Sequence, residues 1–191
     1  MRPAARVLKD TPVTPNQITW LRLGLGVAAA LAIADGRTLW LNWGAGLFLF
    51  GFFLDRLDGE LARASGRTSA FGHKLDLVSD GICNALAFIG LGAGLAAGPW
   101  GGWALLFGLA AGLAIAAILT LVIHLERLGG ERAGELGSAA GFDPDDAMLV
   151  FPVMIWLGKS EALLLAAAIG APVFGLYMAY RFRRAVLRSR A

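Results

Sequence analysis

The chain has 191 residues, of which 57% are apolar and 16% charged, against roughly 45–50% and about 25% in soluble domains. A domain of this size has too little interior for so much apolar surface, so the excess faces something other than water, and the same figures exclude disorder. The formal net charge is +3 and the single cysteine is Cys83, which excludes an intramolecular disulfide framework and a multi-cysteine metal site.

Residues 1–17 carry Arg2, Arg6 and Lys9, followed by Asp10 and two prolines. That is not the apolar core and small-residue cleavage site of a signal peptide; a short interfacial segment is expected, with Val7 and Leu8 along the membrane surface. A membrane-crossing helix needs about 20 mainly apolar residues. The first span, Leu23–Ala34, has 12 uncharged residues and must borrow Ile18–Arg22. The second, Thr38–Leu54, has 17 and stops at Asp55. The third, Gly81–Gly102, has 22 and is rich in glycine; the fourth, Trp103–Ile123, has 21 and is the clearest of the set. The fifth, Ala147–Gly158, has 12 and must borrow Phe142–Asp146, and the sixth, Ala162–Tyr180, has 19. Short spans are tolerated where their polar ends face the protein interior or an open cavity. The expected fold is all-α, an integral membrane bundle of six transmembrane helices over residues 18–180. It forms a single domain, 1–191, with a basic tail at 181–191.

Six spans put both termini on one side. Segments 1–22, 55–76, 124–146 and 181–191 then hold 15 of the 17 Lys and Arg, leaving Arg37 and Lys159 opposite. The positive-inside rule places both termini in the cytoplasm, and a bacterial inner membrane is the expected location. The tail arginines 181, 183, 184, 188 and 190 read as attraction to anionic lipid, not as a nucleic-acid site. Tryptophans 40, 43, 100, 103 and 156 fall at the outer interface as belt anchors.

Acidic residues at a membrane helix end are costly, yet five lie within the 26 residues from Asp55 to Asp80. If the second helix continues past the apolar stretch, Asp55, Asp58, Gly59, Ala62 and Arg63 share one face. If the third is read likewise, Gly72, Asp76, Asp80 and Asn84 share another. Glu60 falls off the first face and reads as a solvated charge. The connection Ala64–Phe71 is short, which predicts antiparallel neighbours whose acidic faces meet. Converging carboxylates repel unless cations lie between them, and oxygen-only ligands suit Mg²⁺, Mn²⁺ or Ca²⁺. Gly59 and Gly72 leave backbone open to a ligand.

The spacing reads Asp55-x2-Asp58-Gly59-x2-Ala62-Arg63-x8-Gly72-x3-Asp76-x3-Asp80. It resembles the signature of the CDP-alcohol phosphotransferase family, with all eight fixed positions filled. Thr14-Pro15-Asn16-Gln17-Ile18-Thr19, followed by Arg22, is also similar to the family's approach to its first membrane helix. The resemblance implies an enzyme that moves a substituted phosphate, most often phosphatidyl, from a CDP-linked donor to an alcohol and releases CMP in phospholipid biosynthesis. It implies that Asp55, Asp58, Asp76 and Asp80 hold divalent Mg or Mn, with Asp80 also the general base for the acceptor hydroxyl. It further implies that Asp58, Gly59, Ala62, Arg63, Gly72 and Asp76 line the nucleotide site, with Arg63 near the pyrophosphate or an aspartate. The expected partners are a CDP-linked lipid donor, an alcohol acceptor, membrane lipids and a second copy in a homodimer. A positioned base suits a weakly nucleophilic alcohol, and a bound cation suits the charge that develops on the leaving CMP.

The acceptor region is sought around Asp143, Asp145, Asp146, Arg127 and Arg132. Relatives that use phosphorylated acceptors generally carry basic residues there, whereas this chain is acidic, so an unphosphorylated polyol or amino-alcohol is favoured. The acids also suit the positive end of a helix dipole. Two other classes share part of this pattern. Membrane prenyltransferases also use aspartate-rich helix ends with Mg²⁺, but with a different spacing. A cation transporter would need acids on the outer half, where only Asp35 and Glu161 stand.

Overall fold

The computed structural model describes residues 7–129 and 148–189, and among them the chain is built on six α-helices with no strand. These are α1 (Pro15–Ala34), α2 (Thr38–Ser65), α3 (Ala70–Gly94), α4 (Gly102–Gly129), α5 (Val150–Trp156) and α6 (Ser160–Ser189). Four are long and apolar enough to cross a membrane: α1, α3, α4 over Gly102–His124 and α6 over Ser160–Tyr180. Helix α2 is long enough, but its apolar part ends at Asp55. Helix α5 has seven residues, preceded by a turn at Met148 and Leu149; Phe142–Asp146, which a full fifth span would need, lie outside the described residues.

The helices do not keep to the bounds of the apolar stretches that mark them. Helix α3 begins at Ala70 rather than at Gly81 and ends at Gly94 rather than at Gly102. A charged residue ends a hydrophobic run without ending a helix, since backbone hydrogen bonds continue in water as in lipid. His73 and Lys74 therefore sit in the first two turns of α3 and not in a loop. Likewise α6 continues to Ser189, so residues 181–189 prolong a helix instead of forming a separate tail.

Local signals set the boundaries at the acidic end. Thr14 caps α1 through a capping box: the Gln17 N–H donates to Thr14 Oγ1 at 3.3 Å, and the Thr14 N–H donates to Gln17 Oε1 at 2.9 Å. Pro15 follows at the first helical position, where its missing N–H costs nothing. Helix α2 ends at Gly66, whose φ of +66° is the left-handed conformation that glycine adopts without a Cβ penalty. Ser69 then caps α3, accepting from the Gly72 N–H at 2.9 Å. Two residues, Arg67 and Thr68, remain between the caps.

The order of packing differs from the expected acidic hairpin. Helices α2 and α3 touch each other little, and α1 lies between them, packed extensively against both. Glycines permit this. A Cβ on Gly44 of α2 would sit 2.5 Å from Ile33 Cγ1, and one on Gly90 of α3 would sit 2.5 Å from the Ala30 carbonyl oxygen. Deeper in the bundle, Phe151 of α5 is buried between Phe48 and Phe88, with ring centroids 4.8 and 5.1 Å away. The N-terminal segment is anchored too, since Leu8 and Val13 pack on Ile18, Leu54 and Leu61.

Outside this core the surface stays apolar. Leu113 of α4 and Ile169, Val173 and Leu176 of α6 are exposed, a continuous apolar exterior of the kind that marks a membrane-facing surface. At the end opposite the acids, Trp40, Trp43, Trp103 and Trp156 are exposed, as expected of belt residues, whereas Trp100 is half-buried and packs edge-on against Phe107.

Candidate active site

The acidic motif is assembled by three helices. From α2 come Asp55 and Asp58, from α3 Asp76 and Asp80, and from the intervening α1 come Asn16, Thr19 and Arg22, which are spaced by three and so share a face. Asp55, Asp76 and Asp80 each place one oxygen within 4.8 Å of the others. Asp58 lies apart from that trio and accepts a hydrogen bond from Thr19 Oγ1 at 2.8 Å.

Arg22 occupies the centre. Its side chain is 3% exposed. Nη1 pairs with Asp55 Oδ1 and donates to Asp80 Oδ1 at 2.7 Å; Nη2 donates to Asp76 Oδ1 at 2.9 Å and to the Asp76 carbonyl at 3.0 Å. Its Nε is buried without a partner. Thr19 and Arg22 were legible only as part of a motif-like approach to the first helix. Their site roles follow from the insertion of α1, which periodicity along a single helix cannot reveal.

Asp58 is also 3% exposed. It sits one turn beyond the apolar stretch of α2, and burial pushes its carboxyl up to about 6, against the opposing pull of the Thr19 hydrogen bond.

All six residues expected at the nucleotide site (Asp58, Gly59, Ala62, Arg63, Gly72 and Asp76) line one open cleft of about 170 Å³, joined by Asn16, Thr19 and His73. The glycines are used differently. Arg63 folds back so that its guanidinium lies 3.5 Å from where a Gly59 Cβ would be. A Cβ on Gly72 would lie 3.0 Å from Asn16 Oδ1 and 3.1 Å from Ser69 Oγ. Arg63 pairs with Glu60 at 3.4 Å, not with a motif aspartate, so Glu60 is the partner of a cleft residue and not merely a solvated charge.

A second cavity lies behind the ion pairs, lined by Gly26, Phe48, Gly51, Phe52, Cys83 and Asn84 together with Arg22, Asp55 and Asp80. The carboxylate cluster thus divides a polar cleft from an apolar chamber. Of the expected acceptor residues, Asp143, Asp145, Asp146 and Arg132 lie outside the described residues, and Arg127 belongs to the last turns of α4.

Comparison with known proteins bears on this geometry. The family model described as CDP-alcohol phosphatidyltransferase matches residues 12–186. The phosphatidylinositol phosphate synthase of Mycolicibacterium smegmatis is 29% identical over 165 residues, 84% of this chain and 68% of that protein. The Corynebacterium glutamicum protein of the same name is 36% identical over 89 residues, 46% of this chain and 39% of the relative. The match thus spans about two fifths of that relative's length. Among solved structures, the Mycobacterium tuberculosis phosphatidylinositol phosphate synthase with CDP-DAG bound superposes with a TM-score of 0.64 at 26% identity, covering 94% of this chain and 92% of that one. The same protein in complex with manganese and citrate gives a TM-score of 0.61 at 26% identity over 93% of this chain and 88% of that one.

Proposed function

Because the chain belongs to the CDP-alcohol phosphatidyltransferase family, we propose that it transfers a phosphatidyl group from CDP-diacylglycerol to the hydroxyl of an alcohol, releasing CMP, in phospholipid synthesis. The observation that carries this reading is the cleft, where the whole Asp58–Asp76 set lines one volume beside three carboxylates held within 4.8 Å. The relative solved with CDP-DAG bound supports the donor. Membership in the family leaves the prenyltransferase and transporter readings without support.

The donor set fits a divalent cation. It is all oxygen, as Mg²⁺ and Mn²⁺ prefer, and four carboxylates against one guanidinium leave the site negative. Asp55, Asp58, Asp76 and Asp80 would hold the ion, and a relative with manganese supports the choice of metal. Bound there, the ion would supply a Lewis acid for the pyrophosphate oxygens. Gly59, Ala62 and Gly72 keep the cleft wall low enough for a nucleotide, and Arg63 and His73 line its rim. Asp80 takes the proton of the acceptor hydroxyl. The acceptor oxygen then bonds to the phosphatidyl phosphorus as the bond to CMP breaks and its electron pair leaves with CMP.

Two observations bear on the acceptor. The acidic run Asp143, Asp145, Asp146 favours an unphosphorylated polyol or amino-alcohol, and we adopt that reading. The names of the relatives favour a second one, an inositol phosphate. The Lys and Arg asymmetry supports six spans with both termini and the site in the cytoplasm, in a bacterial inner membrane. The Gly- and Ala-rich helices would permit close packing in a homodimer.

The test is purified protein with CDP-diacylglycerol and a panel of alcohols, with Mg²⁺, Mn²⁺ or chelator, following CMP and lipid product. Metal-dependent CMP release with at least one alcohol is expected. No CMP from any pairing would overturn the assignment.

A further inference from the structure

A metal site built from several carboxylates faces a problem when no ion is bound, because like charges at this spacing repel. Asp55, Asp76 and Asp80 converge within 4.8 Å, and the group that lies among them is the Arg22 guanidinium. One face of its fork is shared between Asp55 and Asp80 and the other is on Asp76. The side chain is buried, and it leaves its own Nε unpartnered. Every side-chain partner of the guanidinium is thus one of the three carboxylates, reached through Nη1 and Nη2. Arg22 also borders the chamber lined by Gly26, Gly51 and Asn84, which gives the guanidinium room beside the cluster. Gly51 contributes no side chain there, and a Cβ on it would lie 3.8 Å from Arg22 Cγ.

We propose that Arg22 is the resident cation of the acidic site: it holds Asp55, Asp76 and Asp80 together in the metal-free protein and gives up the space between them when a divalent ion binds. The inference rests on the reading of these carboxylates as a divalent-ion site. Its consequence is that Arg22 stabilises the metal-free state and competes with the metal. A scaffolding arginine would support both states alike.

The experiment uses the full chain in detergent micelles, stripped with chelator and titrated with Mn²⁺ alone. Free Mn²⁺ is followed by electron paramagnetic resonance, and unfolding by thermal melts with and without Mn²⁺. For Arg22→Gln, we expect a lower melting temperature without metal, Mn²⁺ affinity raised about tenfold or more by loss of a like charge, and a larger Mn²⁺-induced rise in melting temperature than in wild type. Arg22→Lys, which keeps the charge, should bind Mn²⁺ within a few-fold of wild type. If Arg22→Gln folds only when Mn²⁺ is present, the proposal is supported; if Mn²⁺ does not restore it, the proposal is overturned. Mn²⁺ affinity that is unchanged or weaker in Arg22→Gln overturns it as well. If wild type binds no Mn²⁺ even with CDP present, the metal-site reading itself fails, and the proposal with it.

Discussion

Thr19 donates its hydroxyl proton to Asp58 at 2.8 Å, across the contact between α1 and α2, and both residues are 3% exposed. A buried carboxylate with a neutral donor needs that donor, because no water replaces it cheaply. Thr19→Val keeps the shape and removes the bond. It should lower the stability of the metal-free protein at neutral pH by about 1.5–3 kcal/mol, the usual worth of a hydrogen bond to a charged group. Thr19→Ser should recover most of the loss. Chemical denaturation of the three proteins in chelator measures it, and equal stability of Thr19→Val and wild type would count against the bond.

The same burial gives a pH signature. The Asp58 carboxyl is pushed up to about 6 in the folded protein, from 3.8. Between those values the folded state binds the proton and the unfolded state releases it, so the Asp58 contribution to stability is present at low pH and is lost as pH rises through about 6. The size is on the order of 3 kcal/mol. Asp58→Asn cannot titrate and should lack this term. Melting temperatures of the metal-free proteins at pH 4 and pH 6.5 should therefore fall more for wild type than for Asp58→Asn; parallel behaviour would refute the assignment.

Asp55 and Asp76 stand on different helices, and each contributes an oxygen to the trio. Asn at either position removes a charge from the proposed ion site. Turnover should be lost and Mn²⁺ binding weakened, while far-ultraviolet circular dichroism stays helical, since the helices are held by packing remote from the site. Full activity of either variant in the presence of chelator would show that the metal role is wrong.

Asp80, like Asp55, lines the apolar chamber, whereas Asp58 and Asp76 line the polar cleft. As the general base Asp80 should be worth about 10²–10⁴ in kcat. Asp80→Asn is expected to show that loss while retaining CDP binding better than Asp58→Asn does. A near-normal kcat would reduce Asp80 to a ligand or a structural group.

For the acceptor, the run Asp143, Asp145, Asp146 should repel a phosphomonoester, which carries about −1.5 to −2 charges at neutral pH. Unphosphorylated alcohols should therefore outcompete sn-glycerol 3-phosphate and inositol phosphate in side-by-side assays. Asn at any of the three positions should change acceptor KM more than donor KM. A sugar or polyol phosphate as the best substrate would reverse the assignment and align this chain with the names of its relatives.

The motif and the all-helical class could be read from the residues, because charge interrupts apolar runs and acids at helical spacing share a face; among the described residues four helices are long and apolar enough to cross a membrane. That the acidic faces of α2 and α3 converge could be read too; that α1 lies between the two helices and brings Arg22 there could not. A short link, Ala64–Phe71, predicts a hairpin, yet α1 packs between its two arms. Arg22 disguised this, since a charge inside a weak span reads as the edge of that span. Only the small residues Gly44 and Gly90 hint at a third helix, and they say that some backbone approaches without saying which. The start of α3 at Ala70 precedes its apolar stretch for a related reason, because hydropathy reports where lipid ends and hydrogen bonding reports where the helix ends.

The capping box at Thr14 touches no carboxylate, yet it sets the azimuth of α1. Thr19 and Arg22 lie five and eight residues along, and each residue advances about 100° around the axis. Slippage of the first turn by a single residue would swing both side chains a quarter of the way round, taking the hydroxyl off Asp58 and the guanidinium out of the trio together. Thr14 and Gln17 thus act as an index pin: two polar side chains outside the chemistry hold the phase on which every contact made by the inserted helix depends.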